Sequence, residues 1–252
     1  MSWVRTYNPS VRVGNWNEDI ALEENTIKDF LERRERGELL IQKSSKFRET
    51  LLEPITTSTS RDGKVHFGDL VQLGCEEPKS VLSLNGNDVY GSRNVESSQR
   101  NVFCIVSCDG TANGEPLNYG QDFMLRTAHS CLFLESDRQT FARAAKKSRH
   151  NLVQLVERPS KLTRWRAIFF NPKFRLESTG FPVQANEKCL IQHCMTNVNL
   201  NLESEHLLST PFGKEYEVAG HSCYDSHKAE LGTNHWRFEM DIPGGPEKLS
   251  SS

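Results

Sequence analysis

No uninterrupted apolar run in the 252 residues approaches the roughly 18–20 residues needed to cross a bilayer. Met1-Ser-Trp-Val-Arg5 carries no apolar signal core, so the expected compartment is the cytosol or something continuous with it. Excess charge of one sign is also lacking. The formal net charge is −2, which gives the chain as a whole no bias toward nucleic acid. The seven cysteines form no Cys-x-x-Cys pair: Cys104 and Cys108 are four apart, Cys189 and Cys194 five. An odd count inside apolar runs reads as free, buried thiols in a reducing compartment. Catalytic signatures are missing too. There is no Gly-x-Ser-x-Gly elbow, and the adjacent residues Asp225-Ser226-His227 cannot face one another as a triad does. The glycine-rich stretch from Gly110 to Gly120 lacks the Lys-Ser/Thr of a phosphate loop.

What is present is one phrase written three times. Val65-His-Phe-Gly-Asp-Leu-Val-Gln-Leu73 is echoed by Leu117-Asn-Tyr-Gly-Gln-Asp-Phe-Met-Leu125 and more faintly by Val183-Gln-Ala-Asn-Glu-Lys-Cys-Leu-Ile191. The pivots Gly68, Gly120 and Asn186 are 52 and 66 residues apart. That period is too long for a helical hairpin and suits a four-strand unit. Turn signals at Asp62-Gly63, Gly114-Glu-Pro116 and Gly180-Phe-Pro182 open each copy. The alternation slips by a residue at each pivot, as at a tight turn or bulge. Second strands are expected at Val81–Leu84, Cys131–Leu134 and Val198–Leu202, with an Asn85-Gly86 hairpin turn after the first. Further strands are expected at Leu152–Val156 and Tyr216–Val218. The aromatic closers are Phe103, Trp165 and Trp236. Together they predict a mainly β chain, a β-trefoil-like body over 62–240, with repeats at about 62–109, 110–175 and 176–240.

Ahead of that body, residues 1–17 read as an extended arm with aromatic anchors Trp3, Tyr7 and Trp16. Residues 18–37 read as a helix. Glu18 and Asp19 suit its positive end, and Arg33, Arg34 and Arg36 its negative end, with Gly37 placed to stop it. Glu24–Lys28, Asp29–Arg33 and Glu32–Arg36 are i,i+4 pairs. Ile20, Ile27, Phe30 and Leu31 form a thin apolar stripe, suited to lying on a surface, the chain's own or a partner's. Residues 38–61 are expected to be a connector with some strand character, and 241–252 a disordered tail.

Three candidate sites can be weighed. Residues 138–166 hold nine Lys or Arg against Glu157 alone, leaving the rest of the chain at −10. Such a stretch is a candidate docking surface for an acidic partner, with Arg143, Lys146, Lys147 and Arg149 at its centre; a solvated loop is the plain alternative. Aromatic interleaving of the kind single-strand RNA binders use is thin. Reversing Lys146, Lys147 and Arg149 is expected to weaken docking and leave the melting temperature unchanged. His221, Cys223 and His227 have zinc-ligand types without a standard spacing or an evident fourth ligand, and a turn between the last strands is the simpler reading. Sugar-binding trefoils of the ricin type carry Gln-x-Trp in each repeat. The triplets here are Asn101-Val-Phe103, Thr163-Arg-Trp165 and Asn234-His-Trp236, so these aromatics read as core.

One family matches these residues in order. Val11-Arg-Val-Gly-Asn-Trp-Asn-Glu-Asp19 leads into the helix, and Tyr119-Gly-Gln-Asp-Phe123 opens the second copy. Pro182-Val-Gln-Ala-Asn186, His193-Cys-Met-Thr-Asn197, Gly213-Lys-Glu-Tyr-Glu-Val218, Asp225-Ser-His-Lys-Ala-Glu230 and Asn234-His-Trp236 follow. From about residue 11 to 240 the chain resembles the cilia- and flagella-associated protein 161 family. The resemblance implies a microtubule inner protein in the lumen of axonemal doublets, bound to alpha- and beta-tubulin and to other inner proteins. It implies no enzyme activity and no cofactor, and the composition and spacing above lead us to expect no metal, no nucleic acid and no membrane partner. At fold level it implies similarity to the trefoil modules called MIR domains, which transfers no function. Trp3, Tyr7, Trp16, Arg33, Arg34 and the central basic residues are the expected partner-contacting side chains. The rival expectations are a trefoil module for a carbohydrate or another cytoskeletal partner, and a metal-dependent enzyme using His221, Cys223 and His227.

Overall fold

The computed structural model describes residues 16–241 and 243. The anchors Trp3 and Tyr7, and the tail apart from Asp241 and Pro243, lie outside those residues. The chain divides at Thr50 into a helical unit and a β unit.

In the helical unit, α1 spans Trp16–Glu35, so Trp16 opens the helix instead of closing an arm; its side chain lies outside the described residues. Asp29–Arg33 (3.0 Å) and Glu32–Arg36 (3.5 Å) form as the spacing predicts. Gly37 follows with φ +70°, a left-handed stop. The connector expectation is corrected here, because residues 38–61 contain a second helix, α2, Leu40–Leu52. No glycine or proline interrupts residues 38–53, and Pro54 follows the helix end. Gln42 Oε1 accepts the Leu39 backbone N–H at 3.3 Å, the return half of a capping box. The Leu39-Leu-Ile41 run that suggests a strand is the first turn of this helix.

The β unit begins at Leu51, which is buried, and not at residue 62. The reason is hydrogen bonding: Ile55 N–H donates to Ser97 O, and Ser58 N–H to Leu70 O. Asp241 also belongs to the body, since its N–H donates to Ser58 O and its carboxylate accepts from Thr57 Oγ1.

Twelve strands follow: β1 (Leu70–Glu76), β2 (Lys79–Asn85), β3 (Asp88–Ser92), β4 (Val102–Ser107), β5 (Asp122–Thr127), β6 (Phe133–Ser136), β7 (Asn151–Val156), β8 (Trp165–Phe169), β9 (Lys188–His193), β10 (Leu200–Thr210), β11 (Gly213–Gly220) and β12 (His235–Glu239). All pairings between them are antiparallel. Pairings β1–β12–β9–β8–β5–β4–β1 close a ring. The hairpins β2–β3, β6–β7 and β10–β11 stand off that ring and meet one another through β3–β11, β11–β7 and β3–β7. Closure leaves few backbone groups unpaired along strand edges. The predicted second strand at Cys131 starts later, at Phe133. Cys131 has φ +53° and belongs to the preceding turn.

The repeated phrase has a geometric meaning. Val65 N–H donates to Val183 O, Leu117 N–H to Val65 O, and Val183 N–H to Leu117 O, a closed triangle joining the three copies. Gly68 N–H donates to Ile105 O, Gly120 N–H to Ala167 O and Asn186 N–H to Phe238 O, the same bond made three times. The three pivots have φ of +92°, +87° and +62°. Glycine reaches that region without penalty, and asparagine is among the few other residues that tolerate it. Asn186 adds something the glycines cannot: its Nδ2 donates to Met240 O at 3.1 Å and its Oδ1 accepts Met240 N–H at 2.9 Å. Gly120→Ala would place a Cβ 3.1 Å from Thr179 Cγ2 at a left-handed φ. It is expected to cost about 1–2 kcal/mol, read as a lower urea midpoint at unchanged slope.

Inside the ring, Val71, Leu73, Phe123, Leu125, Cys189 and Ile191 are fully buried or nearly so, together with Phe103, Trp165 and Trp236. Trp165 Nε1–H donates to Leu134 O and Trp236 Nε1–H to Leu200 O, both at 2.9 Å. All seven cysteines are free. Burial pushes the Cys189 thiol up to about 12, so it is inert as a nucleophile.

His193 is buried against Trp165, its ring centroid 5.0 Å from the indole's. Its Nε2 bonds Leu162 O at 2.9 Å and its Nδ1 bonds Thr196 Oγ1 at 2.8 Å. A carbonyl only accepts, so Nε2 carries the proton and Nδ1 accepts the hydroxyl. Desolvation holds its pKa below the ordinary 6.5. Above that value the ring is neutral folded and unfolded, and pH has no effect through it. Below it the unfolded chain takes up a proton the folded chain refuses, so stability falls until the lowered folded pKa is reached. His235 is shifted in the same direction by burial. Urea unfolding is therefore expected to show a lower midpoint near pH ~5 than near pH ~7.5, and His193→Gln should flatten part of that slope.

Candidate functional site

The basic stretch is not a loose loop. It leaves β6, turns through residues 137–150 and enters β7. Much of its charge faces the chain's own acids. Arg143 lies 3.6 Å from Glu135 and 3.5 Å from Asp137. Lys146 Nζ is 2.7 Å from Asp88 Oδ2 and donates to Tyr90 Oη at 3.0 Å. Those bonds hold its pKa above the usual lysine range. The backbone N–H groups of Lys147 and Ser148 donate to the two oxygens of Glu217 at 2.9 and 2.7 Å, and Lys147 Nζ donates to Leu207 O at 2.6 Å. Arg149, at φ +63°, donates to Phe141 O. The insertion is thus stapled to β3 and β11. Charge reversal at Lys146 would set a carboxylate against Asp88, and reversal at Lys147 would remove its bond to Leu207 O. The expectation that Lys146, Lys147 and Arg149 can be reversed without touching stability is therefore withdrawn. Arg158 and Lys161, both exposed and without an ion pair among the described residues, are the cleaner probes.

Arg33 and Arg34 sit in the last turn of α1. Arg33 is paired with Asp29, and the Arg34 carbonyl accepts from Gln42 Nε2 at 3.0 Å. No residue of 18–50 is buried. Leu40 and Ile41 are 85% and 80% exposed, and Leu22, Ile27 and Phe30 are at least half exposed. A helix pair of this size with no buried face of its own gains little from packing.

The aromatic closers are sealed. Phe103, Trp165 and Trp236 are each 0% exposed, so none can stack on a sugar. Asp225-Ser226-His227 is a turn in which the Asp225 carboxylate accepts the backbone N–H groups of His227 and Ala229. The predicted trio His221, Cys223 and His227 is divided: His227 is exposed in that turn, while His221 and Cys223 meet each other. They are joined by two residues that sequence spacing did not pick out, His150 and Glu203. A shallow aromatic groove around Tyr119, Phe169, Phe174 and Phe181 also escaped sequence reasoning. Its lining comes from β8, the α3 turn (Arg175–Ser178) and the third copy's opening turn, which follow one another along the chain, together with Tyr119 of the second copy, about 50 residues earlier.

Among the described residues no helix is long and apolar enough to cross a membrane. Comparison with solved structures shows the fold alone. A Caenorhabditis elegans protein of unknown function aligns with a TM-score of 0.59 at 17% identity, covering 72% of this chain and 98% of that one. The SDF2-like protein of Arabidopsis thaliana aligns with a TM-score of 0.55 at 16% identity, covering 71% and 98%. At the level of sequence, the model of the cilia- and flagella-associated protein 161-like domain matches residues 79–240. The chain is 42% identical to cilia- and flagella-associated protein 161 of Danio rerio, over 96% of this chain and 91% of that protein. It is 39% identical to the Mus musculus protein of that name, over 98% and 91%. Matches of this identity and span make the chain a member of the cilia- and flagella-associated protein 161 family.

Proposed function

We propose that this cilia- and flagella-associated chain is a non-catalytic structural protein of the axoneme, a microtubule inner protein that binds alpha- and beta-tubulin in the lumen of doublets beside other inner proteins. The observation that carries this reading is the helical unit. It presents Leu22, Ile27, Phe30, Leu40 and Ile41 in exposed positions, and none of its described residues 18–50 is buried. Apolar surface of that kind marks an interaction site. We further read the β unit as a three-fold trefoil, four strands to each repeat, on the strength of the Val65–Leu117–Val183 hydrogen-bond triangle and the thrice-made pivot bond. A closed body of that type is a rigid mount that offers little free edge to aggregate along a lattice. Trp3, Tyr7 and Trp16 remain proposed anchors, and the free cations Arg158 and Lys161 proposed contacts.

Graded extraction of axonemes tests this. The chain should stay with the doublets through detergent and moderate salt and leave only when the doublets themselves come apart. Release with the soluble matrix would overturn the proposal. Arg158→Glu with Lys161→Glu should lower retention without changing the melting temperature. Unchanged retention would remove the basic stretch from the interface.

A further inference from the structure

Four potential metal donors from three separate segments converge beside the third hairpin. His150 immediately precedes β7. Glu203 projects from β10 at the point where its register with β11 shifts. His221 and Cys223 follow the end of β11. The ligand atoms of His150, Glu203 and His221 all lie within 4.8 Å of one another. His150 Nδ1 is 2.7 Å and His221 Nδ1 3.7 Å from the same oxygen, Glu203 Oε1. Cys223 Sγ is 3.3 Å from His221 Nδ1. The two imidazoles stack with centroids 3.7 Å apart.

From this geometry we infer that His150, Glu203, His221 and Cys223 form a binding site for a divalent transition metal of the zinc type. Four-coordinate zinc, with bonds of about 2.0–2.1 Å to nitrogen or oxygen and about 2.3 Å to sulfur, holds neighbouring ligand atoms about 3.3–3.6 Å apart. The 3.3 and 3.7 Å separations here bracket that range. Ligation requires the 2.7 Å His150–Glu203 hydrogen bond to open and the two stacked rings to turn so that one ion can lie in the plane of each. The Cys223 sulfur, which is outside the group of donors within 4.8 Å of one another, has to swing in. His150 lies on the solvent side, with its side chain 32% exposed. Without an ion, one carboxylate oxygen serves two imidazoles. His150 takes it, and His221 is left beyond hydrogen-bond distance with a thiol as its nearest partner. Glu203 is 11% exposed, so its charge is largely removed from water and gains most from a cation. Imidazole, thiolate and carboxylate together are a borderline-soft set that suits zinc better than calcium or magnesium. Binding would release the Cys223 proton and leave both rings neutral. It would also fasten the end of the basic insertion to the third hairpin. The site is therefore structural in kind, and it draws none of its four ligands from the helical unit on which the ciliary reading rests.

The purified full-length chain, stripped with chelator and then titrated with zinc chloride, provides the test. One zinc per chain should remain after dialysis, and the melting temperature should rise with zinc. Cobalt(II) should give the intense visible bands of a tetrahedral site with a thiolate charge-transfer band. Cys223→Ser should abolish that charge-transfer band, and His221→Ala should weaken cobalt binding by at least about tenfold. Glu203→Gln keeps the shape of the site and should also weaken binding, which covers the case in which an alanine variant folds poorly. Zinc uptake by the wild type no greater than that of the His150→Ala/His221→Ala variant would overturn the site. So would a cobalt spectrum of the octahedral aqua type.

Discussion

Trp236→Ala is expected to remove about 3–5 kcal/mol from the stability of the β unit, a large part of the roughly 5–15 kcal/mol a domain of this kind possesses. Two losses add. The indole is 0% exposed and packs inside the ring formed by β1, β12, β9, β8, β5 and β4, so its removal leaves a cavity that a closed ring cannot collapse to fill. The Leu200 carbonyl, which accepts both the indole N–H and Asn234 Nδ2, also loses its bond to the indole. Trp236→Phe separates these effects. It restores most of the ring volume but not the donor, and should cost about 1–3 kcal/mol by cavity and hydrogen bond together. Urea unfolding followed by circular dichroism reads both, with Trp165→Ala, whose indole donates to Leu134 O, as the matched case in the second copy. A loss under about 1 kcal/mol for Trp236→Ala would mean that the closer is not part of a rigid core.

Arg100→Met is expected to be about as damaging, for an electrostatic reason. Arg100 and Glu215 are 2.6 Å apart with side chains 4% and 3% exposed. Arg100 also donates to Leu84 O at 2.8 Å, and its guanidinium lies 3.9 Å from the centre of the Phe212 ring. It therefore ties the first hairpin to the third. Removing one partner of such a pair leaves a buried charge uncompensated and costs about 3–5 kcal/mol. Among the described residues, the Glu215 carboxylate then retains only the Thr210 hydroxyl, at 2.7 Å. Replacing both partners, Arg100→Met with Glu215→Leu, should recover much of the loss, because the desolvation cost of both charges disappears. A double-mutant cycle measures this directly. If the double variant is as unstable as the sum of the singles, the pair is not coupled and the account of the hairpin junction is wrong.

The parts of the fold that could be read from sequence were those written in local patterns. The pivots Gly68, Gly120 and Asn186 announce a left-handed backbone, the alternation around them announces strands, and Asn85-Gly86 announces a hairpin. The replacement of glycine by Asn186 looks like drift in sequence. In the structure it is a gain of two hydrogen bonds to Met240. The second helix was hidden because Leu39-Leu-Ile41 is too short an apolar run for its period to be told. The fate of the basic stretch was hidden for a different reason. Lys146 meets Asp88 and Lys147 meets Glu217, partners about 60–70 residues away that only the closed sheet brings near. Likewise, His221 and Cys223 were visible as a cluster, but His150 and Glu203 join them through the β7–β11 and β10–β11 pairings, which no spacing encodes.

The most direct test of the account is electron cryomicroscopy of doublet microtubules from cilia that contain the chain and from cilia that lack it. The lumenal reading predicts a density lost from the inner wall of the doublet, of a size to hold a 252-residue chain, with its helical part against tubulin or a neighbouring inner protein. A density lost only from the outer surface, or an unaltered doublet, would contradict it.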